Sequence, residues 1–265
     1  MEKDIEIIRK VNEIKNKIFY PRLYSAFQST ICFFCNDDNP KRMVAPAGSG
    51  VFIKHKENYY IITAAHVLAE HYNDTFVILE DKELTIGGRL VSSPMPESGK
   101  RDDDKIDISI LKVDQKSTIE LLTRFKAIEI SEIEINHELE ETATYFSVGF
   151  PLTRTEKIWG MNDIKSIGFT YQTEPFLNYN YNQFGFNKET TIAIKFDGEV
   201  TSATLPHPHL SPDIYGISGS GLWHFYNKNH KALIGIVIQI IKEPLHKGVL
   251  VTKIDVVMKM IEDMR

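Results

Sequence analysis

The sequence has few cysteines, no long apolar run and no excess of positive charge. Its 265 residues contain only two cysteines, too few for the disulfide framework of a small secreted domain. The longest apolar runs, such as residues 233–241, are far shorter than the roughly 20 residues that a membrane-spanning helix needs. The formal net charge of -5 offers no basic surface to nucleic acid. We therefore expect neither a membrane span nor a nucleic-acid partner.

The N-terminus also lacks the features of a secretory signal. It reads Met-Glu-Lys-Asp and continues into a charged segment, whereas a signal peptide needs a basic region followed by an uninterrupted apolar one. Together with the low cysteine content, this predicts a cytoplasmic location.

The first residues predict a helix, and the chain after them predicts strands. Apolar residues recur every three to four positions from Ile7 to Ile18, which predicts an amphipathic helix over residues 3–18 that ends before Pro21. From about Leu23, short runs rich in Val, Ile, Phe, Tyr and Thr alternate with glycine and asparagine turns, which is typical of β structure. The helix either braces the following domain or docks a partner protein, and the sequence does not separate these roles.

The β-rich region predicts one domain with two halves. We expect a helical appendage over residues 1–22 and a domain over 23–265, with a first barrel at about 23–125 and a second at about 140–253. Predicted strands of the second half are residues 142–150, 164–173, 190–197, 221–226, 232–241 and 248–253. Short helices are predicted at residues 68–72 and 116–126. A closing helix is predicted over 255–265, with Asp255 as its N-cap and with Val257, Met260, Ile261 and Met264 on one face.

Ser218 is the candidate nucleophile. It lies in Gly-Ile-Ser-Gly-Ser-Gly at residues 216–221, a turn in which glycines allow neighbouring amides to converge on one point as an oxyanion hole. The N–H groups of Gly216 and Ser218 are the predicted donors. Ser220 lacks a glycine two places before it, so we predict that it is not the nucleophile.

A serine hydroxyl needs a base within hydrogen-bond reach, usually a histidine. Of nine histidines, His66 is favoured because it ends the β run of residues 59–66 in small residues that leave room for a substrate. Asp107 heads the apolar run of residues 108–113, where a carboxylate needs a partner, and we predict that it orients His66. The three aspartates at residues 102–104 belong to a polar run and are predicted to be solvated.

These motifs together resemble trypsin-like serine proteases, most closely their HtrA-type and glutamyl-endopeptidase branches. Residues 63–66, 107–113, 148–151 and 216–220 occur in the order and approximate spacing of that family, and the resemblance covers roughly residues 25–265. The order His, Asp, Ser differs from that of α/β-hydrolases and of subtilisin-type enzymes. The resemblance implies an all-β fold of two six-stranded antiparallel barrels and peptide hydrolysis through an acyl-enzyme. It implies no cofactor and no metal.

The sequence departs from trypsin at two places near the candidate serine. Ile217 stands where trypsin has an aspartate that pairs with a new N-terminal amine, so the resemblance implies a competent site without N-terminal trimming. Pro212 holds the position at the base of the specificity pocket, and Asp213 beside it would favour basic substrate side chains if the loop were shifted. The resemblance also assigns three residues to the substrate channel: Ile238, Gln239 and Ile240.

Two other residue pairs have weak metal-like spacing. Cys32 and Cys35 lie in a predicted strand, where residues three apart face opposite sides. His207 and His209 precede the candidate serine and are interpreted as loop residues. We expect no metal at either pair.

Several functional alternatives remain open from the sequence. One is a catalytically silent pseudoprotease that binds a peptide or partner by strand addition, and a weaker one is an esterase on the same site. Resemblance to stand-alone trypsin-like domains of bacterial defence systems implies a protease that a partner protein activates against one dedicated target. Its substrate would be a protein or peptide.

Overall fold

The computed structural model describes most of the chain beyond its first residues. The described residues are 23–36, 44–69, 71–80, 82–141, 143–157, 164–196, 199–202, 205–210, 214–227, 230–242 and 247–264. The helix predicted over residues 3–18 lies outside them, as do Pro212 and Asp213. For His207 and His209 only the backbone is described, and it forms a strand over Leu205–Leu210, so their interpretation as loop residues is wrong.

The first half of the described chain is one curled sheet of eight strands. Its strands are β1 (Thr30–Asn36), β2 (Val44–His55), β3 (Asn58–Ala64), β4 (Thr75–Leu79), β5 (Lys82–Leu84), β6 (Gly88–Ser92), β7 (Ile108–Val113) and β8 (Ile128–Glu129). They are ordered β5-β4-β1-β2-β3-β7-β6, and β8 pairs with β2. The pairing is antiparallel except for β8, which is parallel to β2. Two more strands than predicted are present.

The second half is a six-stranded antiparallel sheet with two separate hairpins. Its strands are β9 (Tyr145–Gly149), β10 (Thr155–Lys157), β11 (Ile164–Ser166), β12 (Phe169–Thr173), β13 (Thr191–Lys195), β14 (Glu199–Ser202), β15 (Leu205–Leu210), β16 (Gly221–Asn227), β17 (His230–Lys242) and β18 (Lys247–Lys253). The sheet order is β12-β9-β16-β17-β18-β13, and β10–β11 and β14–β15 are the hairpins. The predicted all-β class with two halves is confirmed.

Strand boundaries follow most of the predicted runs closely in the second half, but the number of strands differs. The run predicted over residues 164–173 forms two strands, β11 and β12, and three further strands, β10, β14 and β15, were not predicted. Gly168 lies between β11 and β12, and an added Cβ there would be 2.4 Å from the ring of Phe27.

The first strand begins later than predicted. Residues 23–28 are helical, and β1 starts at Thr30. The hydroxyls of Ser29 and Thr30 donate to the carbonyl oxygen of Ala26, at 2.9 and 2.7 Å. These bonds occupy a carbonyl at the helix end and so favour the change from helix to strand.

The short helices also differ in their limits from the predicted ones. One helical turn covers Ala65–Leu68 instead of residues 68–72. A second helix covers Gln115–Leu122, with the Asp114 carboxylate accepting from Ser117 N as its N-cap. Among the described residues, no helix has the length and apolar character required to span a membrane.

The closing helix runs over Ile254–Asp263 and is capped differently from the prediction. Its N-cap residue is Lys253. Asp255 instead accepts a hydrogen bond from the backbone N–H of Asn136 at 2.7 Å, so this side chain faces the segment between the halves.

The closing helix is buried in a core that both halves share. Ile254, Val257, Ile261 and Met264 are at most 5% exposed, and they belong to one apolar cluster with residues of β3 and β16. Packing of this helix therefore contributes to holding the two halves together.

We expect Ile261→Ala to lower the free energy of unfolding by about 2–5 kcal/mol, because it leaves a cavity in the shared core. Lys259→Ala on the exposed side of the same helix is the matched control and should change it by less than about 0.5 kcal/mol. Urea unfolding followed by circular dichroism measures both. Equal effects of the two substitutions would show that the helix does not stabilise the fold through this face.

Candidate active site

His66 and Asp107 lie in direct contact at the end of neighbouring strands. β3 pairs with β7 so that Ala64 faces Ile108, which places His66 just beyond the end of one strand and Asp107 just before the start of the other. His66 Nδ1 is 2.6 Å from Asp107 Oδ2. The Asp107 side chain is 6% exposed, whereas that of His66 is 36% exposed. The carboxylate is therefore buried behind an imidazole that remains open to the cleft.

Backbone hydrogen bonds around Asp107 fix its position relative to His66. His66 N donates to Asp107 Oδ1 at 2.9 Å, and Ala65 N donates to the Asp107 carbonyl at 2.8 Å. Asp107 adopts a φ of 45°, a left-handed conformation that costs energy for a residue with a side chain. Such strain is kept where surrounding contacts fix it, and here three hydrogen bonds from residues 65–66 do so.

The electrostatics of the pair favour a proton on His66. Burial alone would lower the pKa of His66, but the hydrogen bond and charge of Asp107, with a contribution from Asp102, raise it above its ordinary value. Burial raises the pKa of Asp107, and the hydrogen bonds and charge of His66 oppose that rise. The imidazolium form of His66 is thus stabilised by a buried carboxylate.

Asp104 supports the loop that leads into Asp107, and its predicted solvation is wrong. It is 7% exposed and contacts Arg101 Nη1 at 2.7 Å. It also accepts from Ser93 Oγ at 2.5 Å and from Ile106 N at 2.9 Å. Burial tends to raise the pKa of Asp104, but these hydrogen bonds and one from the Asp107 backbone lower it. The ion pair with Arg101, which is close in sequence, offsets the cost of burying the Asp104 carboxylate.

The turn that carries Ser218 needs glycine on both sides. Gly216 has a φ of 95° and Gly219 a φ of 84°, both in the region that favours glycine. A Cβ at Gly219 would lie 2.0 Å from Ser49 O and 2.1 Å from Thr63 Oγ1. No side chain fits there, so the turn lies directly against β2 and β3.

The turn and the segment after His66 flank the same residue of β2. A Cβ at Gly48 would lie 2.7 Å from Val67 Cγ2 and 3.1 Å from the Ser218 carbonyl oxygen. Ser218 is partly exposed. The structure thus brings the predicted serine to the same edge of the first half as His66.

Two amides of the turn differ from their neighbours in hydrogen bonding. Among the described residues, neither Gly216 N nor Ser218 N donates a hydrogen bond to the protein. The neighbouring amides are used: Ile217 N donates to Ile214 O at 3.2 Å and Gly219 N to Val237 O at 2.7 Å. Gly216 N and Ser218 N are the amides predicted for the oxyanion hole.

Ser220 differs from Ser218 in both exposure and bonding. It is 0% exposed, and its hydroxyl is 2.8 Å from the hydroxyl of Ser147 in β9. A buried, partnered hydroxyl is poorly placed to meet a substrate.

Ile217 between the two glycines is 2% exposed in an apolar cluster, where it needs no charged partner.

Ser49 is an important residue of the site that the sequence analysis did not single out. Its N–H donates to Ser218 O at 2.8 Å, and its hydroxyl donates to Gly216 O at 3.2 Å. The same hydroxyl accepts from Phe150 N at 3.0 Å. Ser49 is 0% exposed and therefore fastens the Ser218 turn to the first half. The small Gly-Ser-Gly run at residues 48–50 was the only signal for so close an approach.

Among the described residues, the predicted substrate-channel residues have no backbone partner on the side of β17 that faces the turn, so they form an edge there. On the side of the turn, β17 is bonded through Val237, whose N–H donates to Ser220 O at 2.8 Å. On its other side, β17 pairs with β18 through Gln239 and Ile240, with a bulge at Ile238. The Ile238 side chain is 2% exposed in the core, so this residue can offer only its backbone to a ligand. The edge is suited to strand addition.

Neither cysteine forms a disulfide. Cys32 is buried in β1, and burial raises its pKa to about 12. A thiol with so high a pKa is a poor metal ligand and nucleophile at neutral pH.

The family of the chain follows from residues 48–228, which match the family model described as a trypsin-like peptidase domain. The chain belongs to the trypsin-like peptidase family. It is therefore a serine protease by class, and the fold and enzyme class that the sequence analysis predicted are confirmed. No curated protein matches the sequence of this peptidase.

Solved structures of proteases are similar to the peptidase over most of its length. The scabies mite inactivated protease paralogue S-I1 is 13% identical with a TM-score of 0.55, covering 89% of this chain and 94% of its own. Neuropsin, a serine protease of mouse brain, is 14% identical with a TM-score of 0.54, covering 91% and 96%. The scabies mite inactivated paralogue S-D1 is 10% identical with a TM-score of 0.55, covering 91% and 93%. At these identities the likeness shows the chymotrypsin-like fold alone.

We expect Ser49→Ala to lower the free energy of unfolding by about 1–3 kcal/mol, because Phe150 N loses its buried acceptor. The exposed Ser98→Ala is the matched control and should change it by less than about 0.5 kcal/mol. Chemical unfolding of both variants gives the comparison. If Ser49→Ala were as stable as the parent, its hydroxyl would not be fastening the turn.

Proposed function

We propose that this peptidase is a serine endopeptidase that cleaves peptide bonds through Ser218, His66 and Asp107. The observation that carries the proposal is the 2.6 Å contact between His66 Nδ1 and the buried Asp107 carboxylate, at the same edge of the first half as the Ser218 turn. An ionised carboxylate only accepts hydrogen bonds, so it holds the proton of neutral His66 on Nδ1. Nε2 is then left as the base.

The proposed chemistry proceeds in two steps. Ser218 Oγ attacks the substrate carbonyl carbon while His66 Nε2 takes its proton, and the imidazolium formed is stabilised by Asp107. The N–H groups of Gly216 and Ser218 bind the developing oxyanion. His66 then donates its proton to the leaving amine, which yields an acyl-enzyme, and water activated by His66 releases the acid product.

The edge at residues 238–240 supports a peptide as substrate. An extended chain added there would bond to the backbone of β17 beside the turn, which places its carbonyl group near the amides of Gly216 and Ser218. We propose that this edge binds the residues before the scissile bond. The dedicated target, activation by a partner protein and cytoplasmic location expected from the sequence stay predictions.

Ser218→Ala should abolish labelling by a fluorophosphonate probe. It should reduce peptide hydrolysis to a residual rate that is about 10³–10⁴-fold above the uncatalysed rate in water. Ser220→Ala is the matched control, since its buried hydroxyl bonds to the hydroxyl of Ser147 in β9. It should keep labelling and cost about 1 kcal/mol of stability. Mass spectrometry of the labelled parent locates the adduct.

An adduct on Ser220, or parental activity in Ser218→Ala, would overturn the assignment of the nucleophile. Failure of the folded parent to react with the probe would favour the catalytically silent peptide-binding alternative. Hydrolysis of esters but not of peptides would favour the esterase.

The rate should fall as pH falls through the raised pKa of His66. The raised pKa means that His66 stays protonated to a higher pH than a free histidine, and a protonated His66 cannot act as the base. We therefore expect kcat/KM to rise with pH to a half-maximum above 6.5, the ordinary pKa of histidine.

Asp107→Asn provides the matched variant for this pH profile. It removes the charge that raises the pKa while burial still lowers it, so the half-maximum should move to lower pH. The plateau of kcat should fall about 10⁴-fold, because the wrong tautomer is held. A profile with the same half-maximum in both proteins would contradict the role of Asp107.

A further inference from the structure

A second group of ionisable side chains lies between the segment that connects the halves and β16. Glu134 and His137 belong to the segment that connects the halves, and His224 lies in β16. Glu134 N donates to Leu233 O at 3.1 Å, and Leu233 faces Trp223, the neighbour of His224. The fold therefore brings the connecting segment against β16.

The ligand atoms of these three residues converge. Glu134 Oε2 is 3.0 Å from His137 Nδ1 and 3.7 Å from His224 Nδ1. The three ligand atoms lie within 4.8 Å of one another. A tetrahedral ion bound at about 2.0–2.1 Å holds its ligand atoms roughly 3.3 Å apart. The two separations measured from Glu134 Oε2, 3.0 and 3.7 Å, lie on either side of that spacing.

The cluster is buried and its hydrogen bonding is incomplete. His137 is 4% and His224 is 2% exposed, while the Glu134 side chain is 27% exposed. Within the part of the chain that the structure describes, His224 Nδ1 and Glu134 Oε2 are buried atoms without an assigned hydrogen-bond partner. Buried polar atoms are rarely left so, and a cation between them would bind both lone pairs.

The outer contacts of His137 suit a metal ligand. Its Nε2 is 3.0 Å from the hydroxyl of Tyr145, which is 0% exposed and accepts from Glu140 N at 3.0 Å. With Nδ1 on a metal, Nε2 carries the proton and donates to Tyr145, which fixes the ring orientation.

We propose that Glu134, His137 and His224 form a zinc-binding site, with water as the fourth ligand on the exposed side of Glu134. Two imidazoles and a carboxylate are ligands that Zn²⁺ accepts, whereas Mg²⁺ and Ca²⁺ prefer oxygen alone. The site is separate from the proposed catalytic residues. Its role is structural, because the ion would tie the segment between the halves to β16.

The test is calorimetric titration of ZnCl₂ into the full chain after dialysis against a chelator. We expect one ion per chain, and binding at least about tenfold weaker in Glu134→Gln and in His224→Phe, since losing a ligand should cost no less than losing an outer contact. Glu134→Gln keeps the shape of a partly exposed side chain, so its fold should survive if His224→Phe does not. His71→Gln, an exposed histidine elsewhere, should bind like the parent.

Further measurements keep the outcome independent of peptidase activity. Zn²⁺ should raise the midpoint of thermal unfolding in the parent and in His71→Gln but not in Glu134→Gln, and MgCl₂ should have no such effect. His66→Gln should bind zinc like the parent. Unchanged binding in Glu134→Gln, binding lost in His66→Gln, or no stoichiometric binding in the parent would each overturn the proposal.

Discussion

The site depends on the hydrogen bonds through which Ser49 holds the Ser218 turn against the first half. The turn is bonded to β17 of the second half through Gly219 N and Val237 O, and a further contact sets its position against the first half. Ser49 does this with its backbone N–H on Ser218 O and its hydroxyl on Gly216 O. The amides proposed to receive the oxyanion and the histidine proposed as base come from different halves. The hydrogen bonds of Ser49 set the position of these amides relative to that histidine.

The position of Asp107 is fixed by a different set of hydrogen bonds. Its side chain and carbonyl accept three hydrogen bonds from residues 65–66, and its backbone takes a left-handed conformation. Asp104 and Arg101 bury an ion pair beneath the same loop. The carboxylate thus lies at a fixed distance from His66 before any substrate binds, which is the preorganisation that electrostatic stabilisation of an imidazolium requires.

Most of the fold and part of the site could be predicted from local sequence signals. Period-two and continuous apolar runs located the strands, and the glycine pattern located the Ser218 turn. The burial of Asp104 was missed because a run of charged residues does not reveal that Arg101 folds back on it. Ser49 and the Glu134 cluster were missed for a related reason. Their partners are distant in sequence, and only the paired sheets bring them together.

Gly219 carries a consequence for how activity can be lost in such a chain. The space beside its α carbon is filled by Ser49 O and Thr63 Oγ1, so any side chain there would push the turn away from the strands beneath it. His66, Asp107 and Ser218 would all remain in the gene product while the amides proposed for the oxyanion moved. A single added methyl group, at a residue that takes no part in the reaction, would then abolish the activity of such an enzyme. The presence of all three catalytic residues in a sequence is therefore not sufficient to infer an active protease.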